Sequence, residues 1–223
     1  GGSTKFTASE VANLQIAYSK LGFTADEILE VTEGTLDLST AFGLDLAQTA
    51  EVAGGTLRAF GLDAGDTARM TDVMALSFAS TALDMEKFTG AMTMVGPVAK
   101  VAGFSLEETT AILGQLANAN ISGSLAGTQL RQIMLEMSNE NSKLAKRLGG
   151  SVSSVDELKV ALNKLNKEGI GTAEMKDLVG QRAVSAFSVL IDGADDVARL
   201  TTEFENATGT GNLMATQMLD TLE

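Results

Sequence analysis

The chain has 223 residues, 44% of them hydrophobic, enough to bury one large core or two small ones. It contains no Cys and no His, which excludes disulfides, thiolate and imidazole metal sites, and Ser-His-Asp or Cys-His catalysis. Its formal net charge of −13 is uneven: residues 1–130 hold 6 Lys and Arg against 15 Asp and Glu, residues 131–182 hold 9 against 7, and residues 183–223 hold 1 against 7. A sequence-independent DNA binder needs several cations on one face, so this balance argues against a nucleic-acid partner.

Gly1, Gly2 and Ser3 read as a remnant of cloning and are set aside. Thr7-x-x-Glu10 then opens a helix whose apolar positions are Val11, Leu14, Tyr18 and Leu21, at helical period. The phrase GFTADEIL from Gly22 follows, and it returns as GLDLAQTA at Gly43, GLDAGDTA at Gly61 and GFSLEETT at Gly103. In each, Gly ends one helix, and the third residue caps the next through its side-chain oxygen: Thr24, Asp45, Asp63 and Ser105. Thr24-x-x-Glu27 and Ser105-x-x-Glu108 predict capping boxes, and Phe23 with Ile28 has the spacing of a hydrophobic staple.

Inside these boundaries Ile28, Val31, Thr35 and Leu38, and then Ala50, Ala53, Leu57 and Phe60, keep the same period. LDMEKF, with Asp84 as cap, starts a helix that Pro97 is expected to end or kink near Val95, with a short helix running on to Ala102. The uncharged run 109–130 contains Asn118, Asn120, Gln115 and Gln129, so it predicts helix, polar turn and helix rather than a membrane span. A polar stretch, SNENSK followed by Gly149-Gly150-Ser151, suggests a joint around 138–153. Within it Lys143, Lys146 and Arg147 read as the solvated last turn of a helix. Ser154-x-x-Glu157 opens a helix with Val155, Leu158, Leu162 and Leu165 inward.

Two further stretches resemble binding motifs and fail as such. Asp192, Asp196 and Glu203 fit positions 1, 5 and 12 of a calcium loop, but Ala194 and Val197 stand where a ligand and the turn Gly are needed. Asp195 and Asp196 instead read as charge on the first turn of a helix. GTGNLM at Gly209 has two of the three glycines of a dinucleotide loop with no strand before it, and reads as a loop between helices.

No stretch alternates with period two. The expected fold is all-α: about ten short antiparallel helices joined by Gly-containing turns, with no sheet, as a helical domain over 4–140 and a C-terminal helical segment over 150–223 packing on or following it. No residue is assigned as catalytic, cofactor-binding or metal-binding, and the chain is not expected to be an enzyme.

The succession of phrases over residues 43–134, above all VGPVAKVAGFSLEETTAILGQLANANISGSLAGTQLR, and then LVGQRAVSAFSVLIDGADDVARLT over 178–201, resembles the N-terminal core region of tail tape-measure proteins from long-tailed bacteriophages and prophages. The resemblance implies a structural, non-enzymatic protein of the virion tail, made in the host cytoplasm, that takes part in tail assembly, length determination and genome ejection. It implies tail-tube subunits, tail-assembly chaperones and tail-tip proteins as partners, several copies side by side, and no cofactor, specific nucleic acid or membrane for this segment. A measuring chain needs many hundreds of residues at ~1.5 Å each, so this chain is expected to be a piece of a longer protein. The alternative is a cellular helical adaptor, a solenoid whose stacked helix pairs bind another protein.

Overall fold

The computed structural model describes residues 6–221 and divides the chain into two compact units. Among the described residues it contains thirteen α-helices and no strand. The all-α expectation holds, with more helices than the ten expected.

The first unit takes residues up to 79 and, from the far end of the chain, those from 205 onward. Its helices are α1 (Ala8–Lys20), α2 (Ala25–Phe42), α3 (Leu46–Phe60), α4 (Thr67–Ser80) and α13 (Thr210–Asp220). The repeated phrase works as its chemistry dictates. Gly43 and Gly61 adopt φ of 62° and 61°, the left-handed conformation that lets a helix stop. Thr7 and Thr24 form capping boxes with Glu10 and Glu27, and Asp45 accepts from the Gln48 N–H. Asp63 differs, because it introduces a short 3-10 turn, Ala64–Asp66, and α4 starts only at Thr67.

Close approach in this unit depends on small residues. A Cβ on Gly54 would lie 2.6 Å from Leu21 Cδ1, so α1 and α3 pack with no room between them. Tyr18, fully buried, lies edge-on to Phe23 with centroids 5.1 Å apart and shares a 2.6 Å hydrogen bond with the Thr35 hydroxyl. Burial pushes the Tyr18 phenol up to about 12, against the opposing effect of the Thr35 bond.

The second unit is contiguous, residues 80–204. It holds α5 (Met85–Ala102), α6 (Leu106–Asn118), α7 (Gly123–Ser138), α8 (Lys143–Leu148), α9 (Val155–Glu168), α10 (Thr172–Val179), α11 (Val184–Asp192) and α12 (Ala194–Glu205). Asp84, Ser105 and Ser154 cap α5, α6 and α9 as their spacing predicts. Glu108 does more than complete its own box: one carboxylate oxygen accepts the Ser105 N–H at 2.8 Å and the other the Val155 N–H at 2.6 Å. One side chain therefore satisfies first-turn donors of two helices.

One expectation needs correction here. Pro97 does not end the helix, since α5 runs unbroken from Met85 to Ala102. Pro97 and Thr93, the residue whose carbonyl loses its N–H partner, both sit on the exposed face, where water can satisfy that oxygen. Residues 138–153 lie within the second unit. There α8 fills the polar stretch, the Ser142 hydroxyl donates to the Glu136 carbonyl at 2.6 Å, and the Val152 N–H donates to the Met137 carbonyl at 3.3 Å.

Candidate functional site

The chemistry-bearing side chains of this protein converge on helix ends and helix crossings. In the first unit the seat of α13 is the most concentrated example. Asp72, in the middle of α4 and only 8% exposed, points its carboxylate at the start of α13. Its two oxygens accept the Gly209 N–H at 2.7 Å and the Gly211 N–H at 2.8 Å. A negative charge there also faces the positive end of the helix dipole, and the first turn of α13 has no acidic residue of its own. Beside it, Asn212 donates to Asp37 at 3.1 Å. Burial holds the Asp37 carboxyl above its ordinary range against the Asn212 bond, and the neighbouring Glu33 and Asp72 charges push the same way as burial.

GTGNLM is therefore the start of a helix rather than a loop: Gly209, at φ 83°, caps α13. Asp72 was missed because its partners lie more than 130 residues away. The available signal was an Asp, a poor helix-interior residue, followed by the apolar Val73, Met74 and Ala75 in α4.

In the second unit, α5 and α7 cross backbone against backbone. A Cβ on Gly127 would lie 2.3 Å from the Ala91 carbonyl oxygen, and one on Gly90 would lie 3.1 Å from the Ser124 nitrogen. Part of the basic middle of the sequence is ion-paired in place. Arg147 bridges Glu168 at 2.6 Å and Glu174 at 2.7 Å, and Lys143 pairs with Asp177. These bonds hold the Arg147 guanidinium above, and Glu168 below, their ordinary ranges. Lys143 is the first residue of α8 rather than part of a last turn, while Lys146 and Arg147 do lie in the last turn.

Asp195 and Asp196 occupy the first turn of α12 as expected, Asp195 bonded to Asn163 and Lys159, which lower its pKa, and Asp196 to Arg199. Because 194–205 is helical, the residues of the calcium-loop template cannot curl around an ion. Among the described residues no three Asp, Glu, His or Cys gather where a metal could be held, and no helix is long and apolar enough to cross a membrane.

Among the exposed apolar residues, two sit on open helix faces rich in charge. On α2, Leu29 is 70% exposed and is flanked by the exposed acids Asp26, Glu30 and Glu33. On α9, Val160 is 72% exposed in a shallow groove with Lys159, Asn163, Lys164, Lys167 and Glu168.

Such an arrangement defines a helix-packing scaffold, in which polar groups fix helix ends. Residues 1–156 match the family of phage-related minor tail proteins, and the chain belongs to that family, within the tail tape-measure proteins. It is 33% identical to the tape measure protein of Pneumococcus phage Dp-1 and 31% identical to a probable tape measure protein of Escherichia phage P2. Both alignments cover all of this chain but only 20% and 29% of those relatives, so the chain spans less than a third of their length. No solved structure matches it.

Proposed function

We propose that this segment is the compact helical part of a tail tape-measure protein, a structural and non-enzymatic element that acts in tail assembly and genome ejection, while tail length is set mainly by other parts of the chain. It works in the virion tail after assembly in the host cytoplasm. Its partners are tail-tube, chaperone and tail-tip proteins and further copies of itself. The observation that carries this reading is the fold itself. The longest helices, α2 and α5, have 18 residues, about 27 Å each, and the chain turns back after every one. A unit of roughly 100 residues has a radius of gyration of about 13 Å, whereas the same residues as one helix would span about 150 Å. Folded this way, the segment is a poor ruler.

The return of α13 onto α2 also speaks against the adaptor alternative, because a solenoid joins only neighbouring repeats. The test is an in-frame deletion of residues 6–221 from the full-length gene, with electron microscopy of the lysate. Fewer complete tails of near-normal length are expected. Tails shortened by ~1.5 Å per deleted residue would show that the segment is part of the extended ruler and sink the proposal.

A further inference from the structure

The two open helix faces are complementary in charge, spacing and apolar content. On α2, Asp26, Leu29, Glu30 and Glu33 follow at i, i+3, i+4 and i+7, so one exposed leucine sits among three carboxylates on one face. Among the described residues none of these three carboxylates has a Lys or Arg within ion-pairing distance. On α9, Val160, Lys164 and Lys167 follow at i, i+4 and i+7, so one exposed valine sits beside two lysines. The other charges of that groove are already matched. Lys159 pairs with Asp195 at 3.2 Å, and Glu168 is taken by Arg147. What the groove presents outward is therefore positive. The complementarity is local to these faces, since both units are net acidic: the first holds 4 Lys and Arg against 14 Asp and Glu, and the second 12 against 15.

We propose that the acidic α2 face of one copy of this chain docks in the lysine-lined α9 groove of another copy. The proposal rests on the reading above that copies associate, and it names the surfaces. A second copy is the occupant the charges favour, because each chain supplies both halves of the match and exposes both at once. Like faces repel, so α2 against α2 or α9 against α9 is disfavoured, and no two-fold dimer forms through either face. Unlike faces join head to tail, a heterologous contact that propagates or closes into a ring. With one apolar residue on each side and screened charges around it, the contact is weak in isolation, with Kd of order 0.1 mM, and gains strength where copies are confined together.

Sedimentation of the whole chain up to about 1 mM, at low and high salt, tests it. Association should appear at low salt and fade as salt rises. The pairs E30K/E33K and K164E/K167E, which leave every cap and core residue in place, should each weaken self-association about tenfold or more, with unchanged circular dichroism. An equimolar mixture should recover association, because the acidic α2 of one variant meets the basic α9 of the other, and the basic α2 of the second meets the acidic α9 of the first. A chain that stays monomeric at 1 mM overturns both this interface and the reading that copies associate by themselves. Wild-type association that neither variant changes, or that the mixture fails to recover, overturns the interface alone. The tail-deletion experiment is unaffected by either result.

Discussion

Gly127→Ala sets two known effects against each other, and the geometry decides which wins. In an exposed helix interior, Gly to Ala stabilises by about 1 kcal/mol through lost unfolded-state freedom and better propensity. At Gly127 the new Cβ would meet the Ala91 carbonyl oxygen at 2.3 Å, its Cα at 2.7 Å and its carbonyl carbon at 2.9 Å. Ordinary carbon–oxygen contact begins at about 3.3 Å, so α5 and α7 must separate by roughly 1 Å. All three atoms are backbone, and no side chain can turn aside to relieve them. A gap of that size forfeits a quarter to a half of each dispersion contact along the crossing, and overpacking of this kind costs about 1–3 kcal/mol. The expected net is a loss of about 2 kcal/mol, read as an earlier urea transition and faster hydrogen exchange over residues 85–102 and 123–138. Gly55→Ala in α3 is the control, because nothing lies within 4 Å of its Cβ, and it should stabilise the first unit by up to about 1 kcal/mol. Equal or greater stability of Gly127→Ala would refute the reasoning.

Asp72→Ala leaves the Gly209 and Gly211 N–H groups without their acceptor, and two charge-assisted bonds at a helix N-terminus predict a loss of about 2–4 kcal/mol, with exchange at residues 209–213 accelerating first. Unchanged exchange there would remove Asp72 from the seat of α13. Asp37 has a raised pKa in the fold, mainly from burial, so the stability it contributes is full below its unfolded value and is lost as pH rises through the folded one. Asp37→Asn should therefore stabilise at pH 7, with the gain vanishing below about pH 4, and a gain that persists in acid would contradict this. Thr110 is fully buried, and its hydroxyl has no hydrogen-bond partner among the described residues. Thr110→Val keeps the shape and should raise the melting temperature, by about 1 kcal/mol of stability, whereas a clear loss would reveal a hidden partner.

What was legible in the sequence was local. Thr24 with Glu27 and Ser105 with Glu108 are three residues apart, so both halves of each cap stand side by side in the chain, and helix boundaries followed. The inward faces were legible for the same reason: Ala50, Ala53, Leu57 and Phe60 are all buried, as are Val155, Leu158, Leu162 and Leu165. Partnership between helices was not. Nothing in the spacing of Gly90 or Gly127 says that these glycines meet another helix rather than end their own, and the same residue type ends helices at Gly43 and Gly61. Pro97 did not end its helix, and the carbonyl it leaves without an N–H partner, that of Thr93, lies on the exposed face within reach of water. Of the two open faces, charge at residues 26–33 and 159–167 was visible, but the neutralisation of Glu168 by Arg147, which leaves the groove positive, needed the fold.

The division of the chain has an energetic consequence that no single helix shows. The first unit is closed by residues that lie beyond the whole of the second, about 125 residues later. Joining ends across a flexible segment of that length costs roughly 4 kcal/mol in chain entropy, growing only slowly with length. The second unit has no such requirement, because all of its helices lie in one stretch, and once folded it replaces the flexible segment with a fixed body and shrinks the cost for the first. Stability therefore flows from the second unit to the first, and α13 is where the debt is concentrated, since it alone brings the distant segment home. Its first turn has no acidic residue and its interior is sparsely buried, with Gly211 and Ala215 as its buried residues. Its place depends on a carboxylate from α4. Asp72 is thus the residue through which a break late in the chain opens a unit built early in it, and any force or partner that takes α13 away removes a helix that the chain must travel back to supply to the first unit.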